Sequence, residues 1–277
     1  MQQEGGVQRS ESNLAAAGID TNTPQSARVY DFLLGGKDNF AADRAVGATL
    51  IDLVPTLPVQ VKANRAFLAR SVRYLVGEAG IRQFLDIGTG IPTANNVHEV
   101  AQQIAPETRV LYVDYDPVVL AHARALMTSS STGKTAFILA DLREPESILS
   151  NPTLASTLDL NEPVALMLVG ILHHIRDDDD PDRIVETLLD ALPSGSYLTV
   201  THPSADFDPE AMIPLAAAAE QSGIPYVPRS RKEVDRFFAD LELVEPGVVP
   251  VLAWRPDPDT STDINSVYGW AAVGRKP

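Results

Sequence analysis

The chain has 277 residues, 44% of them hydrophobic and 21% charged, with a formal net charge of -15 at pH 7 and no cysteine. That length supports one large α/β domain with its own core. The missing thiols exclude disulfides, thiolate zinc sites, iron–sulfur clusters and a cysteine nucleophile. The acidic balance makes a phosphate backbone an unfavourable partner, so nucleic acid is not expected. No uninterrupted apolar run approaches the ~18 residues of a membrane span, and the opening "MQQEGGVQRSESNLAAAGID" lacks the basic-then-apolar order of a signal peptide. Residues 1–22 therefore read as a loose polar tail, and a cytoplasmic setting is expected.

Residues 27–34, "ARVYDFLL", place Val29, Phe32 and Leu33 on one side of a short helix. Gly35-Gly36 ends that helix, because glycine tolerates the left-handed turn, and Asp38-Asn39-Phe40 opens a second segment. From Gln60 to Val76 the apolar residues Val61, Phe67, Leu68, Val72, Leu75 and Val76 mark one face of a longer helix. Gln83–Ile87 is a short buried strand that runs into glycines. "NNVHEVAQQI" restores a helical period, "RVLYVDYDP" is a second strand, "VVLAHARALM" a helix, and "TAFILADLREP" a third strand with its exit loop. "PVALMLVGILHHI" is a fourth strand with a polar end. "PDRIVETLLDAL" is a helix opened by an N-cap at Asp180 and a first-turn proline at Pro181. "GSYLTVTHP" is the fifth strand.

Five strands separated by helices imply a doubly wound, mostly parallel sheet. Beyond them, Pro209–Gln221 reads as an Ala-rich helix, residues 225–229 as an extended loop and "RKEVDRFFADL" as a helix. "LELVEPGVVPV" and "SVYGWAAVGRK" then close the sheet as an antiparallel hairpin, giving seven strands.

The strongest chemical signal is Asp86-Ile87-Gly88-Thr89-Gly90, between a buried strand and a helix. Ligands of open α/β sheets bind beyond the carboxyl ends of the strands, where glycines let backbone approach them. Asp114 ends the second strand, where a carboxylate can accept both hydroxyls of a ribose. Asp114 and Asp116 also suit the start of the next helix. Asp141 ends the third strand, where it can pair with an adenine amino group or cap the following turn. Three such strand ends together describe an adenosine site. A dinucleotide fingerprint needs a third glycine where this chain has Thr93, and the Gly35-Gly36-Lys37 turn is followed by Asp38 rather than Ser or Thr, so neither pyrophosphate motif is met. "HEVAQ" at 98–102 has Gln102 where a zinc helix needs its second histidine. The acidic run 177–180 reads as a solvated loop that favours the next helix N-terminus.

"FLDIGTG", "VLYVDYDP", "ADLREP" and "LVGILHHI" resemble motifs one to four of class I S-adenosylmethionine-dependent methyltransferases. The longer stretches "ARVYDFLLGGKDNFAADR", "NRAFLARSVRYL", "DIGTGIPT", "NVHEVAQ" and "VLYVDYDPVVLAHARAL" are similar to an S-adenosyl methyltransferase family widespread in actinobacteria, long catalogued as a domain of unknown function. The resemblance covers about residues 27–275.

It implies a Rossmann-like, seven-stranded sheet with a reversed last strand, a helical cap over residues 23–80 and a cofactor domain over 81–277 with an insert near 205–230. It also implies bound S-adenosyl-L-methionine. Asp86, Gly88 and Gly90 would line its methionine end, Asp114 and Tyr115 its ribose side, Asp141 and Leu142 its adenine. Gly170 would face the sulfonium. Tyr30 and Gly35 of the cap would complete the cofactor set, with the cap acting as a lid.

The acceptor implied is a small molecule, methylated at oxygen or nitrogen. His173, which titrates near neutrality, is the candidate base. It equally suits a packing role at a strand exit. Asn39, Phe40, His174 and His202 are candidate substrate contacts, and no metal is implied. Two other readings stay open at this stage: a non-catalytic sensor of S-adenosylmethionine or its demethylated product, and a nicotinamide oxidoreductase, which needs the missing glycine.

Overall fold

The computed structural model describes residues 20–126 and 129–277; most of the expected 1–22 tail lies outside them. A helical hairpin comes first, α1 (Ser26–Leu34) and α2 (Ala41–Leu53), followed by the long α3 (Leu57–Gly77). Alternation then sets in: β1 (Gln83–Ile87), α4 (Val97–Ile104), β2 (Arg109–Asp114), α5 (Pro117–Leu126), β3 (Lys134–Leu139), α6 (Pro145–Leu149), α7 (Pro152–Thr157), β4 (Ala165–Val169), α8 (Pro181–Asp190) and β5 (Tyr197–Pro203). The chain closes with α9 (Pro209–Gln221), α10 (Arg231–Arg236), β6 (Glu242–Leu243), β7 (Val249–Pro250) and β8 (Gly269–Arg275).

The strands form one mixed sheet in the order β3-β2-β1-β4-β5-β8-β6, with β7 also paired to β8. The first five are parallel, and β8 runs antiparallel to β5 in the register Tyr197↔Arg275 to Pro203↔Gly269. The fold class is therefore the expected one, while the described residues form eight strands rather than seven. The extra strand arises because "LELVEPGVVPV" is broken in two. Glu242–Leu243 and Val249–Pro250 both pair with β8, and the intervening turn carries Pro246 and Gly247, which take the backbone out of the ladder.

The period of two along each strand sorts the core into two layers. Leu85, Leu111, Leu166 and Leu198 face α6–α8 and α10, whereas Phe84, Val110, Met167 and Val273 face α3 and α4. Asp180 accepts from the Arg183 amide at the head of α8, with Pro181 in its first turn, as the sequence suggests. The hairpin belongs to neither layer. Val29 and Leu33 of α1, Val46 and Leu50 of α2, and Leu57 and Val61 at the head of α3 pack with Leu215 and Ala219 of α9 into a third, smaller core. The second half of α3 meanwhile lies on the sheet face through Phe67, Val72 and Leu75. One helix thus ties the N-terminal segment to the sheet, and the third core sits beyond the carboxyl ends of β4 and β5.

Within the hairpin, Gly35 takes a left-handed φ of 85° and ends α1. Gly36 is required for a different reason: a Cβ there would fall 2.0 Å from the Asp31 carboxylate. That carboxylate holds the turn together, accepting from the Asp38 amide at 2.9 Å and from Asn39 Nδ2 at 2.8 Å.

Arg28 anchors the hairpin to the sheet. It is 2% exposed and lies between Asp43 of α2 and Asp116 at the end of β2, at 3.8 and 3.4 Å. Its Nη atoms donate to the carbonyls of Asp20 and Thr23. Removing one member of a buried ion pair leaves the others uncompensated and costs about 3–5 kcal/mol. Arg28→Ala is accordingly expected to lower the denaturant midpoint by an amount in that range, without change in m-value, whereas Arg73→Ala, on an exposed pair with Asp257, should cost about 1 kcal/mol or less. Chemical denaturation of both variants checks this.

Candidate functional site

Two hollows meet above the carboxyl ends of β1, β2, β4 and β5. The first is a polar groove of ≈ 610 Å³, counting the space at its mouth, lined by Asp86, Gly88, Thr89, Gly90, Asp114 and Tyr115 together with Arg65 of α3. The second is an apolar hollow of ≈ 800 Å³ on the same basis, enclosed by the third core and the segment after α9. Ser26, Tyr30, Asn64, Gly170 and His174 line both.

The groove takes its shape from the β1 exit. Gly88 has a left-handed φ of 74°, and a Cβ there would drive into Ile171 at 2.4 Å, so the turn closes only on glycine. Gly90 points its amide at Asp114 Oδ2, 2.9 Å away, and the Asp116 amide donates to Asp114 Oδ1 at 3.0 Å. Each carboxylate oxygen accepts more than one hydrogen bond, so Asp114 keeps capacity for hydroxyl donors. Burial pushes Asp114 up to about 6, partly offset by those amides, and pushes Asp86 up to about 7, with Arg65 pulling the other way. Two desolvated carboxylates at one strand edge suit a ligand that brings hydroxyls and positive charge.

Tyr115 is 45% exposed beside them, its hydroxyl donating to Gln25 Oε1 at 2.9 Å. Arg65 reaches the carbonyls of Ala94 and Asn95, both at 3.2 Å, while its buried Nε has no hydrogen-bond partner among the described residues.

A hydrogen-bonded wall stands between the hollows. Thr201 Oγ1 of β5 donates to Asn64 Oδ1 at 2.6 Å, Asn64 Nδ2 donates to the Tyr30 hydroxyl at 3.0 Å, and that hydroxyl donates to the Val61 carbonyl at 3.1 Å. On the far side lie three histidines. His174 Nδ1 is 2.7 Å from the Pro225 carbonyl. A carbonyl only accepts, so Nδ1 carries the proton and Nε2 keeps its lone pair. Burial lowers the pKa of His174.

His173 is more deeply buried and held well below its ordinary value by burial and by His174, His202 and Arg229. Its Nδ1 has no partner, and it lines the apolar hollow but not the groove. His202 has both nitrogens in use: Nδ1 lies 2.9 Å from the Pro203 carbonyl, and Nε2 accepts from Arg229 Nη1 at 3.2 Å. Burial, with the Arg229 charge adding to it, pushes His202 down to about 3.

The sequence reading meets this geometry unevenly. Tyr30, Asp86, Gly88, Gly90, Asp114, Tyr115 and Gly170 all line the groove. Asp141 and Leu142 do not. Asp141 pairs with Arg143 outside it, and the Leu142 side chain is turned into the core under the sheet. Gly35 is exposed at the hairpin turn. Asn39 and Phe40, expected near an acceptor, line neither hollow. Asn39 is spent on Asp31 and on the Gly36 carbonyl, and the Phe40 ring stacks under the Arg28 guanidinium, 5.2 Å from its centroid.

Four contributors were not singled out from sequence: Asn64, Arg65, Tyr226 and Arg229. The pair Asn64-Arg65 opens the "NRAFLARSVRYL" stretch, and two polar residues on the inner turn of an amphipathic helix are the signal that was available. His98 of "HEVAQ" is a packing residue bonded to the Tyr112 hydroxyl at 2.8 Å, and among the described residues no cluster of His, Cys, Asp and Glu is placed to hold a metal ion.

A mostly parallel sheet with acidic strand ends, a Gly-x-Gly exit and a second hollow beside the groove fits a Rossmann-like, S-adenosylmethionine-dependent methyltransferase. The chain belongs to the S-adenosyl methyltransferase family, whose model matches residues 12–277. It is 46% identical to a DUF574-family protein from Streptomyces avermitilis, over 93% of this chain and 99% of that one, with a TM-score of 0.91. It is 45% identical to a putative methyltransferase from Thermobifida fusca, over 94% and 97%, with a TM-score of 0.87. An S-adenosylmethionine-dependent methyltransferase from Anabaena variabilis shares the fold at 12% identity and a TM-score of 0.52, over 94% and 98%. No protein with a curated description matches the sequence.

The groove fits the cofactor: Asp114 offers free acceptor capacity, and Asp86 and Arg65 line the same space. Ionising Asp86 and Asp114 favours a ligand that donates to them, so binding should release protons. Affinity for S-adenosylhomocysteine is expected to fall as pH drops through 7 to 6. Asp114→Asn should weaken it about tenfold to a hundredfold and remove the lower part of that pH dependence. The free protein should show the opposite trend. Its raised carboxyl pKa values mean the folded state binds more protons than the unfolded one, so stability declines as pH rises from 3.8 towards about 7. Calorimetric titrations in buffers of different ionisation enthalpy, with thermal melts across that range, check both.

Proposed function

We propose that the protein transfers the methyl group of S-adenosylmethionine to an oxygen or nitrogen of a small molecule held in the apolar hollow. The observation that carries this reading is the junction of the two hollows. Tyr30, Asn64, Gly170 and His174 line both, so a ligand in the groove and a ligand in the hollow meet across one thin wall. In the groove, Asp114 would hold the ribose hydroxyls and Asp86, with the Gly88–Gly90 turn, the amino-acid end. The cofactor supplies an activated methyl group. The chain aligns the acceptor with it and keeps water out.

The hairpin contributes through Tyr30 and through the apolar roof formed by Val29, Leu33 and Leu50. That arrangement supports the reading of the N-terminal helices as a cap over the acceptor. The hollow is lined mainly by apolar and aromatic side chains with a few polar groups among them, as small-molecule sites are. No helix among the described residues is long and apolar enough to cross a membrane, and a cysteine-free chain suits the reducing cytoplasm we assign to it.

Leu215→Trp fills the hollow from α9, away from the groove. It is expected to lower methyl transfer to any small acceptor by at least tenfold while leaving S-adenosylhomocysteine affinity within about twofold. Unchanged turnover would place the acceptor elsewhere.

A further inference from the structure

The hollow carries no formal charge. Among the described residues that line it there is no Asp, Glu, Lys or Arg, in a chain of net charge -15. Its polar groups are hydroxyls, two amides and three histidines. Two charged side chains behind the lining are engaged elsewhere. Arg229 is held by the Leu172 and Ile175 carbonyls and by Asp177, and Asp208 accepts from the Tyr268 hydroxyl at 3.2 Å. An ammonium or carboxylate entering this space finds no counter-charge and loses its water. Tyr30, Tyr226 and Tyr268 bring three aromatic rings to the walls, which favours a flat ring as occupant.

We infer, building on the function proposed above, that the acceptor is an uncharged phenol whose hydroxyl is deprotonated by His174 Nε2. His174 lines both hollows, and its bond to the Pro225 carbonyl fixes the tautomer that leaves Nε2 basic. His173 does not reach the groove, and the Nε2 of His202 is occupied by Arg229. A neutral nitrogen acceptor would need no base. A phenol, with a pKa of about 10, gives up its proton to an imidazole far more readily than an aliphatic alcohol does. In the step, the phenol proton passes to Nε2. An oxygen lone pair forms the O–CH₃ bond as the C–S bond breaks, and the electron pair of that bond stays on sulfur. The products are a neutral methyl ether, the thioether S-adenosylhomocysteine, and an imidazolium that returns its proton to water.

The groups facing His174 are His173 on its own turn, Tyr226 from the segment after α9, Tyr30 from α1, and His202 with Arg229 beyond. Across the groove that His174 also lines stand the Asp86 and Asp114 carboxylates. The working form is neutral His174. Because burial lowers its pKa, kcat/KM at saturating cofactor should stay level from pH 8 down to 6.5 and fall only below that.

The test uses the full chain saturated with S-adenosylhomocysteine, titrated calorimetrically with 2-naphthol, 2-naphthoate, 2-naphthylamine and the 1-naphthylethylammonium ion. Methyl-labelled S-adenosylmethionine then reports turnover. Expected results are 2-naphthol binding at least tenfold more tightly than either ion, and label in its methyl ether. His174→Asn keeps an amide nitrogen where Nδ1 meets the Pro225 carbonyl but has nothing at Nε2. It should lower kcat about a hundredfold or more, with melting temperature and naphthol affinity unchanged and the acid limb of the pH profile gone. Equal or tighter binding of either ion, label in the amine or the carboxylate in place of the naphthol, no label in bound naphthol, or full turnover by His174→Asn would each overturn the inference. Label in the amine or the carboxylate would leave the proposed function standing. Failure of all four probes to bind would overturn both.

Discussion

The buried charge of Arg28 is the constraint on which the site depends. A guanidinium with 2% exposure must be compensated locally. Here the compensation comes from three parts of the chain: the Asp20–Thr23 turn, Asp43 on α2 and Asp116 at the end of β2. Asp116 is two residues from Asp114, and its amide donates to the Asp114 carboxylate. The hairpin is thereby joined to the Asp114 side of the groove by one short chain of polar contacts, so it cannot lift far from the groove without exposing unpaired charge. Its apolar side then has only one place to go, against α9 and the head of α3, and that packing closes the roof of the second hollow.

Electrostatics divides the two hollows as sharply as shape does. The groove holds two carboxylates with raised pKa values, while the neighbouring space is lined by neutral groups. Between them stands a wall in which each partner is oriented by the next: Thr201 on β5, Asn64 on α3, Tyr30 on α1. The wall spans the sheet, the layer above it and the hairpin, so its position registers all three bodies at once. Methyl transfer is a displacement in line with one bond, and catalysis by alignment needs that kind of shared reference.

The sheet was legible because its signals are local. Apolar runs of strand length alternate with helical periods, and Asp180-Pro181 or Asp114 at a strand end needs no tertiary information to be read. Asp86, Gly88 and Gly90 were legible for the same reason. The split of the edge strand was less so, since "LELVEPGVVPV" keeps its β-propensity across a turn that the pairing partner β8 has to bypass. Asn64, Arg65 and Arg229 could not be weighed from sequence. Each acts where elements far apart in the chain converge, Arg229 reaching back to Leu172 across 57 positions and Thr201 reaching Asn64 across 137. Leu142 shows the converse. Its position after β3 is the one a strand-end rule selects, yet the side chain completes the core instead.

The "YDFLLGGKDNF" stretch resolves into a frame and a single chemical contact. Asp31, Gly36, Asp38 and Asn39 form a closed knot: the carboxylate accepts from Asp38 and Asn39, and the glycine has no Cβ because the carboxylate already occupies that space. Phe40 lies against Arg28, and Phe32 packs where Gly47 leaves room. Lys37 is exposed at the tip of the turn. Tyr30 alone of the stretch passes its side chain to the boundary between groove and hollow, and its hydroxyl there donates to the Val61 carbonyl and accepts from Asn64. A residue so bonded is a poor proton donor or acceptor for chemistry, and burial raises its pKa further from the working range. Its ring stands at the junction of the groove and the hollow. The unusual composition of the stretch is accounted for by what it takes to hold that one ring still.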